Sequence, residues 1–312
     1  MRVTDLMMTN NAMQHMADAM EGLSRLQDEA ATDKVITTPA DNPSVAVTGL
    51  NLRSIIATND AYTSTANTTS DWLDANELYL GQMVDIGTRA LNLAQEGVSD
   101  TETLKERQTL ANDLEGVLQN AVNAANGMHQ GKFIFAGYFV NGGTGGVPPY
   151  QYTAGGAAVT LAPGITSTAG PVNQTIQRGQ TIQVNVDGST VFQPLFQSLI
   201  AVRDDLNNPN FSTAQLTADI ATLGQAVNGS NPLLPPSIST MRSTNGDRTQ
   251  QVNMALDRMT QTDTSLKNLL SKTEDANMAD VITQLNSQQT VYQAVLAVGK
   301  NAIPKSLFDY LQ

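Results

Sequence analysis

LMMTNNAMQHMADAMEGLSRLQDEA, residues 6–30, carries its apolar side chains at helical intervals. Leu6, Thr9, Met13, Met16, Met20, Leu23, Gln27 and Ala30 follow alternating steps of three and four, which predicts one seam of a heptad helix. Near the other end of the chain Met278, Ile282, Leu285, Gln289, Tyr292, Leu296, Gly299 and Ile303 repeat the same spacing. Two seams at opposite ends of one chain predict that the ends pair. Thr9, Gln27, Gln289 and Gly299 stand where a coiled coil wants Leu or Ile, so such a pair is expected to be only marginally stable alone. It would then be completed when further copies cover it.

Working inward, Thr37-Thr38-Pro39 and Asn42-Pro43 interrupt the first helix. A helical run from Ser44 to Asn126 follows, with Leu52, Leu73, Leu80, Leu91, Leu114 and Leu118 among its apolar positions and Asp100-Thr101 as a cap for its second half. Helical spacing returns at Leu195, Leu199, Val202 and Leu206. After the break at Pro232 to Pro236, no proline occurs from Ile238 to Ile303. If that run is continuous, it is about 66 residues and roughly 100 Å long, against a diameter of roughly 50 Å for a compact chain of this length. The expected fold is mainly α: an elongated helical rod with paired terminal coiled-coil helices and a small β-rich inserted outer domain. Its divisions are terminal segments 1–43 and 270–312, rod segments 44–137 and 193–269, and an insert over 138–192.

The insert is set apart by composition. Thirteen of the 23 glycines fall between Gly127 and Gly188, and from Phe133 to Val202 only Arg178 and Asp187 are charged. The alternation Thr181-Ile182-Gln183-Val184-Asn185-Val186 reads as a strand, and Asp187-Gly188 reads as a turn into a second strand, Thr190-Val191-Phe192.

The whole chain has 312 residues, no cysteine, two histidines, and 17 basic against 29 acidic side chains, a net charge of −12. Without thiols there is no disulfide framework, thiolate metal site or cysteine nucleophile. The acidic balance argues against a nucleic-acid surface. No apolar run approaches the roughly 20 residues of a membrane-spanning helix, and the first twenty residues lack the continuous apolar core of a cleaved signal peptide.

The chain ends also carry motifs. Met1-Arg2-Val3-Thr4 with Met7-Met8, the run from Leu26 to Ile36 continuing through Pro39-Ala40-Asp41-Asn42-Pro43, Trp72-Leu73, and the strand Gly131 to Gly137 come in order. Glu274-Asp275-Ala276-Asn277-Met278-Ala279 and Ser306-Leu307-Phe308-Asp309-Tyr310-Leu311 complete them. In this set the chain resembles the bacterial flagellin superfamily, and its hook-filament junction members more than its filament members. Asp33, Ala40 and Asn42 depart from the family's usual glycine, serine and aspartate. The resemblance implies an extracellular structural subunit, not an enzyme and without cofactors or metals. It implies export through the flagellar type III apparatus with an export chaperone, without signal cleavage. It also implies a homo-oligomeric ring of eleven copies between hook-associated protein 1 and flagellin. In this superfamily the segment after the first helix is a spoke, which makes Pro39, Asp41 and Pro43 linker residues. The alternatives are a filament flagellin and a cytoplasmic coiled-coil scaffold.

Candidate sites are few. Leu6, Met13, Met16, Met20, Leu23, Met278, Ile282, Leu285, Tyr292, Leu296 and Ile303 are the expected assembly interface. Methionine suits such a surface because it repacks against non-identical partners, although the same residues would also make an ordinary helical core. His15 is a solvated helix position or a pH-sensitive contact, and His129 belongs to turn chemistry. Gly142-Gly143-Thr144-Gly145-Gly146 lacks the Lys-Ser or Lys-Thr of a phosphate loop. Asp204-Asp205 and Glu274-Asp275 read as helix-surface carboxylates, and Arg53 as a cation for a neighbour's carboxylate.

Overall fold

Helical periodicity governs most of the chain. The computed structural model describes residues 2–36, 38–40, 42–99, 102–168 and 170–302. Among them are seven helices: α1 (Arg2–Thr32), α2 (Pro43–Glu96), α3 (Leu104–Ala125), α4 (Gly188–Asn207), α5 (Thr213–Asn228), α6 (Ile238–Glu274) and α7 (Met278–Ala302). The remaining regular structure is three antiparallel two-stranded sheets. β1 (Met128–His129) pairs with β2 (Lys132–Phe133), β3 (Tyr150–Gln151) with β4 (Thr160–Leu161), and β5 (Asn173–Gln177) with β6 (Gln180–Gln183). The chain divides into two compact units, residues 1–59 with 261–312, and residues 60–260.

In the second unit α3 starts from a capping box. Thr103 Oγ1 accepts from Glu106 N at 3.3 Å, and the Glu106 carboxylate accepts from Thr103 N at 2.7 Å, which satisfies two of the helix's orphan donors. Asp100 and Thr101, the expected cap, lie outside the described residues, and the observed cap is Thr103. The core holds Leu80, Met83, Leu114, Leu118, Phe196 and Leu199, each worth about 1.5–3 kcal/mol when taken fully out of water. Leu195, Leu199, Val202 and Leu206 are all fully buried on α4, as their spacing requires.

Three sequence expectations are corrected here. Asp187-Gly188 does not turn into a strand. Asp187 caps α4, with Oδ1 accepting from Thr190 N at 3.3 Å and Oδ2 from the Thr190 hydroxyl at 2.6 Å, so Thr190 to Phe192 are helical. A carboxylate that can bind the orphan amides of a first turn outweighs the β-propensity of three residues. Likewise, of Gly131 to Gly137 only Lys132–Phe133 is strand, because the following residues turn at once, with Gly137 at φ 61°. The run from Ile238 to Ile303 is broken: α6 ends at Glu274 and α7 begins at Met278. The backbone between them bonds elsewhere, with Ala276 N donating to Asp33 O at 3.0 Å. The Asn277 side chain then caps the restart by accepting from Ala279 N at 3.2 Å.

The glycine-rich insert packs within the second unit. Ile176 and Ile182 of the β5–β6 hairpin are buried with Leu73 of α2 and Val252 and Met259 of α6. Buried amides set the position of this contact. Asn76 Nδ2 donates to Val184 O at 2.7 Å and to Asn245 Oδ1 at 3.2 Å, and Asn245 Nδ2 donates to Leu73 O at 2.9 Å. Sliding the hairpin along the helices would strand these groups, which costs about 1–3 kcal/mol for each one left unpaired.

A second polar network ties the β3 loop to the helices. Arg203 of α4 has a buried side chain and donates to Glu115 Oε2 at 2.9 Å and to the Tyr152 hydroxyl at 2.6 Å. The Tyr152 hydroxyl in turn donates to Glu115 at 2.8 Å. Burial and its bond to Glu115 push the Tyr152 phenol up to about 12.

Candidate assembly interface

The first unit brings the first and last helices together: α1 packs along α7. The seam between them differs from the expected one by a single residue at every second step. On α1 the residues turned toward the partner are Thr9, Ala12, Met16, Ala19, Leu23, Leu26 and Ala30, and on α7 they are Met278, Val281, Leu285, Gln288, Tyr292, Val295 and Gly299. Thr9, Met16, Leu23, Ala30, Met278, Leu285, Tyr292 and Gly299 occupy the seam as expected. Gln27 and Gln289 do not, and neither do Met13 (53% exposed), Met20 (61%), Ile282 (50%) and Leu296 (40%). Their places are taken by Ala12, Ala19 and Leu26 on α1, and by Val281, Gln288 and Val295 on α7.

Small residues make this register work. A side chain at Gly299 would meet the Met16 methyl at 3.1 Å, so the absence of a Cβ admits the methionine. Gln288 Nε2 crosses the seam to donate to Ala19 O at 3.2 Å. The polar seam residue therefore acts as an interhelical tie.

The larger apolar side chains lie on the flanks. Met7, Met13 and Met20 are exposed on α1, and Ile282, Val291, Leu296 and Val298 on α7. Between the helices runs an apolar groove of about 280 Å³, lined by Ala12, His15, Val291, Val295, Val298 and Gly299 among others. His15 is exposed beside it. The side chain of Leu6 and all of Ile303 lie outside the described residues.

Below α1 the chain does not simply turn. Residues 33–36 run beside the α6–α7 break, where the backbones of Lys34 and Asp275 form a single antiparallel β-bridge and Val35 N donates to Glu274 O at 2.8 Å. Glu274 is buried, contrary to the expected surface carboxylate, and its Oε2 accepts from Lys34 Nζ at 3.1 Å and from Arg53 at 2.5 Å. Arg53 thus pairs within its own chain in place of the neighbour expected from sequence. Gly49 of α2 lies directly under the carboxylate, where a Cβ would overlap Oε1. Pro39 is exposed in this connection and Pro43 opens α2, while Asp41 lies outside the described residues. Sequence reading missed the clasp because its carboxylate and its two cations are separated by more than two hundred residues. The nearest signal was Gly49, a glycine inside a helical pattern.

Among the described residues no group of three His, Asp or Glu converges as a metal site, and no helix is long and apolar enough to cross a membrane. His129 sits at a hairpin edge, its ring 5.9 Å from that of Trp72.

Residues 3–140 of this helical chain match the family model of the bacterial flagellin N-terminal helical region. The chain is 23% identical to the flagellar hook-associated protein 3 of Salmonella typhimurium, over 99% of both chains. In fold it is similar to the Bacillus cereus FlgL crystal structure, with a TM-score of 0.57 at 17% identity, covering 71% of this chain and 99% of that one. It is also similar to flagellar hook-associated protein 3 of Legionella pneumophila, with a TM-score of 0.58 at 12% identity, covering 71% and 97%. The resemblance read from the chain ends holds over nearly the whole chain.

Proposed function

We propose that this chain is a structural subunit of the bacterial flagellum that joins hook to filament. It would assemble as a ring of eleven copies, between hook-associated protein 1 below and flagellin above. It would reach that extracellular site through the type III export apparatus with an export chaperone. Residues 1–43 and 270–312 form the inner assembly segments, 44–137 and 193–269 the helical body, and 138–192 the variable insert. Pro39, Asp41 and Pro43 act as the linker. The role is mechanical and needs no bond-making step.

The observation that carries this reading is the placement of the large apolar side chains on α1 and α7. A helix pair that closes on Ala12, Ala19, Val281 and Val295, yet leaves Met7, Met13, Met20, Ile282 and Leu296 in water, has its adhesive surface still uncovered. Methionine on that surface fits an adaptor that must pack against different proteins on its two sides. The near full-length similarity to a hook-associated protein 3 supports the same reading.

A deletion strain tests it. Complete hooks with flagellin monomers shed into the medium are expected, and a normal filament would refute the junction role. Loss of the filament with no shed monomer would point to the filament subunit itself. Met13→Ser and Met20→Ser should reduce polymerisation in steps while far-UV circular dichroism stays unchanged.

A further inference from the structure

Beside the Glu274 clasp lies a cavity of about 320 Å³ with two kinds of wall. Ile36, Pro39, Val45, Ala46 and Leu50 make it apolar, and Lys34 and Arg53 make its rim cationic. Among the described residues both cations pair with the same carboxylate oxygen of Glu274. One anion for two cations leaves an excess positive charge, and Lys34 and Arg53 each retain further N–H donors beyond the one spent on Glu274. The first turn of α2, which carries Val45 and Ala46, adds the positive end of its dipole. Such a cavity fits an apolar segment carrying one carboxylate.

Residues Leu307-Phe308-Asp309-Tyr310-Leu311, outside the described residues, have that chemistry in sequence: four large apolar or aromatic side chains around one acid. They cannot reach the cavity of their own chain. α7 leads away from Glu274 for about 36 Å between Met278 and Ala302, whereas the nine residues from Ala302 to Leu311 extend no more than about 32 Å. The apolar groove between α1 and α7 is within their reach, but its described lining holds no Lys or Arg. A carboxylate buried there would meet only the His15 imidazole among otherwise apolar side chains, against a lysine and an arginine at the clasp.

We infer that the cavity at the clasp receives Leu307–Leu311 of a second copy, with Asp309 on Arg53 and Lys34 and the flanking rings on the apolar wall. Each copy then offers a tail at one end of its helix pair and a socket at the other, a head-to-tail arrangement that propagates or closes into a ring. This rests on the self-assembly proposed above and adds to it a specific contact.

The test uses full-length chain carrying a photo-crosslinking benzoylphenylalanine in place of Phe308, mixed with heavy-nitrogen-labelled chain, allowed to associate and irradiated. Cross-links between light and heavy chains, mapping to residues 36–50, are expected, and Asp309→Asn should lower their yield several-fold with circular dichroism unchanged. Cross-links confined to one chain, or mapping to Val291–Val298, overturn the docking, as does a yield indifferent to Asp309→Asn. A chain that sediments as a monomer at every concentration overturns self-assembly itself, and with it this contact.

Discussion

Replacing Gly49 with alanine sets a methyl group against Glu274 Oε1, and the shift of the carboxylate puts at risk the bonds that Oε2 makes to its two cations. The bonds at stake are those from Lys34 at 3.1 Å and Arg53 at 2.5 Å. Charge-assisted hydrogen bonds contribute about 1.5–3 kcal/mol each when buried. Here the Lys34 and Arg53 side chains are 40% and 50% exposed, so solvent screening reduces the pair to about 1–2 kcal/mol in total. Against this, alanine for glycine inside a helix gains about 0.5–1 kcal/mol. The net expectation for Gly49→Ala is a loss of about 0.75 kcal/mol, a roughly three- to four-fold rise in local opening by the relation of free energy to equilibrium. In a Glu274→Ala background the obstacle is gone, and the same substitution should instead stabilise by about 0.5–1 kcal/mol. The assay is native-state amide exchange at Val35 and Ala276, whose N–H groups bond across the clasp to Glu274 O and Asp33 O. Exchange reports this local opening directly, without requiring the two units to unfold together. A Gly49→Ala effect of the same sign and size in both backgrounds would refute the reasoning.

Acid should tighten the α4–α5 contact. Burial first, then the hydrogen bond and charge of Asp219 on α5 and the charge of Asp204, push the Asp205 carboxyl up to about 6 from its ordinary 3.8. The folded chain therefore holds a proton that the unfolded chain gives up. The stabilisation is complete below about pH 4 and is lost as pH rises through about 6. Asp205→Asn should remove this dependence, and a melting temperature with an unchanged pH profile would contradict it. Glu115→Ala should cost about 2–3 kcal/mol, below the 3–5 of a fully broken buried pair, because Asp204 still accepts from Arg203 at 2.6 and 2.8 Å. Urea titration gives the loss, and amide exchange should show residues 150–155 opening first.

Much of the helical organisation was legible in local pattern. The proline breaks at 39–43 and 232–236, the α4 spacing from Leu195 to Leu206, and the helical character of both ends depend on residues close in sequence, so periodicity and backbone restriction suffice to find them. The clasp was not legible, since nothing near Glu274 tells that Lys34, Gly49 and Arg53 converge on it. Nor was the role of Asp187, where turn chemistry and helix capping use the same residue and only the burial of Val191, Phe192 and Leu195 on one helical face decides between them.

The terminal seams divide the two kinds of information most sharply. Sequence alone determined that α1 and α7 are heptad helices, and it placed Thr9, Met16, Leu23 and Ala30, and Met278, Leu285, Tyr292 and Gly299, on the facing sides. Only tertiary structure decided which neighbour fills the alternate positions, because steps of three-four and four-three differ by one residue, about 100° around the helix. Hydrophobicity favours Met13 and Met20. Packing instead selects Ala12 and Ala19, whose small side chains let α7 approach, and leaves the methionines at the surface where another copy can cover them.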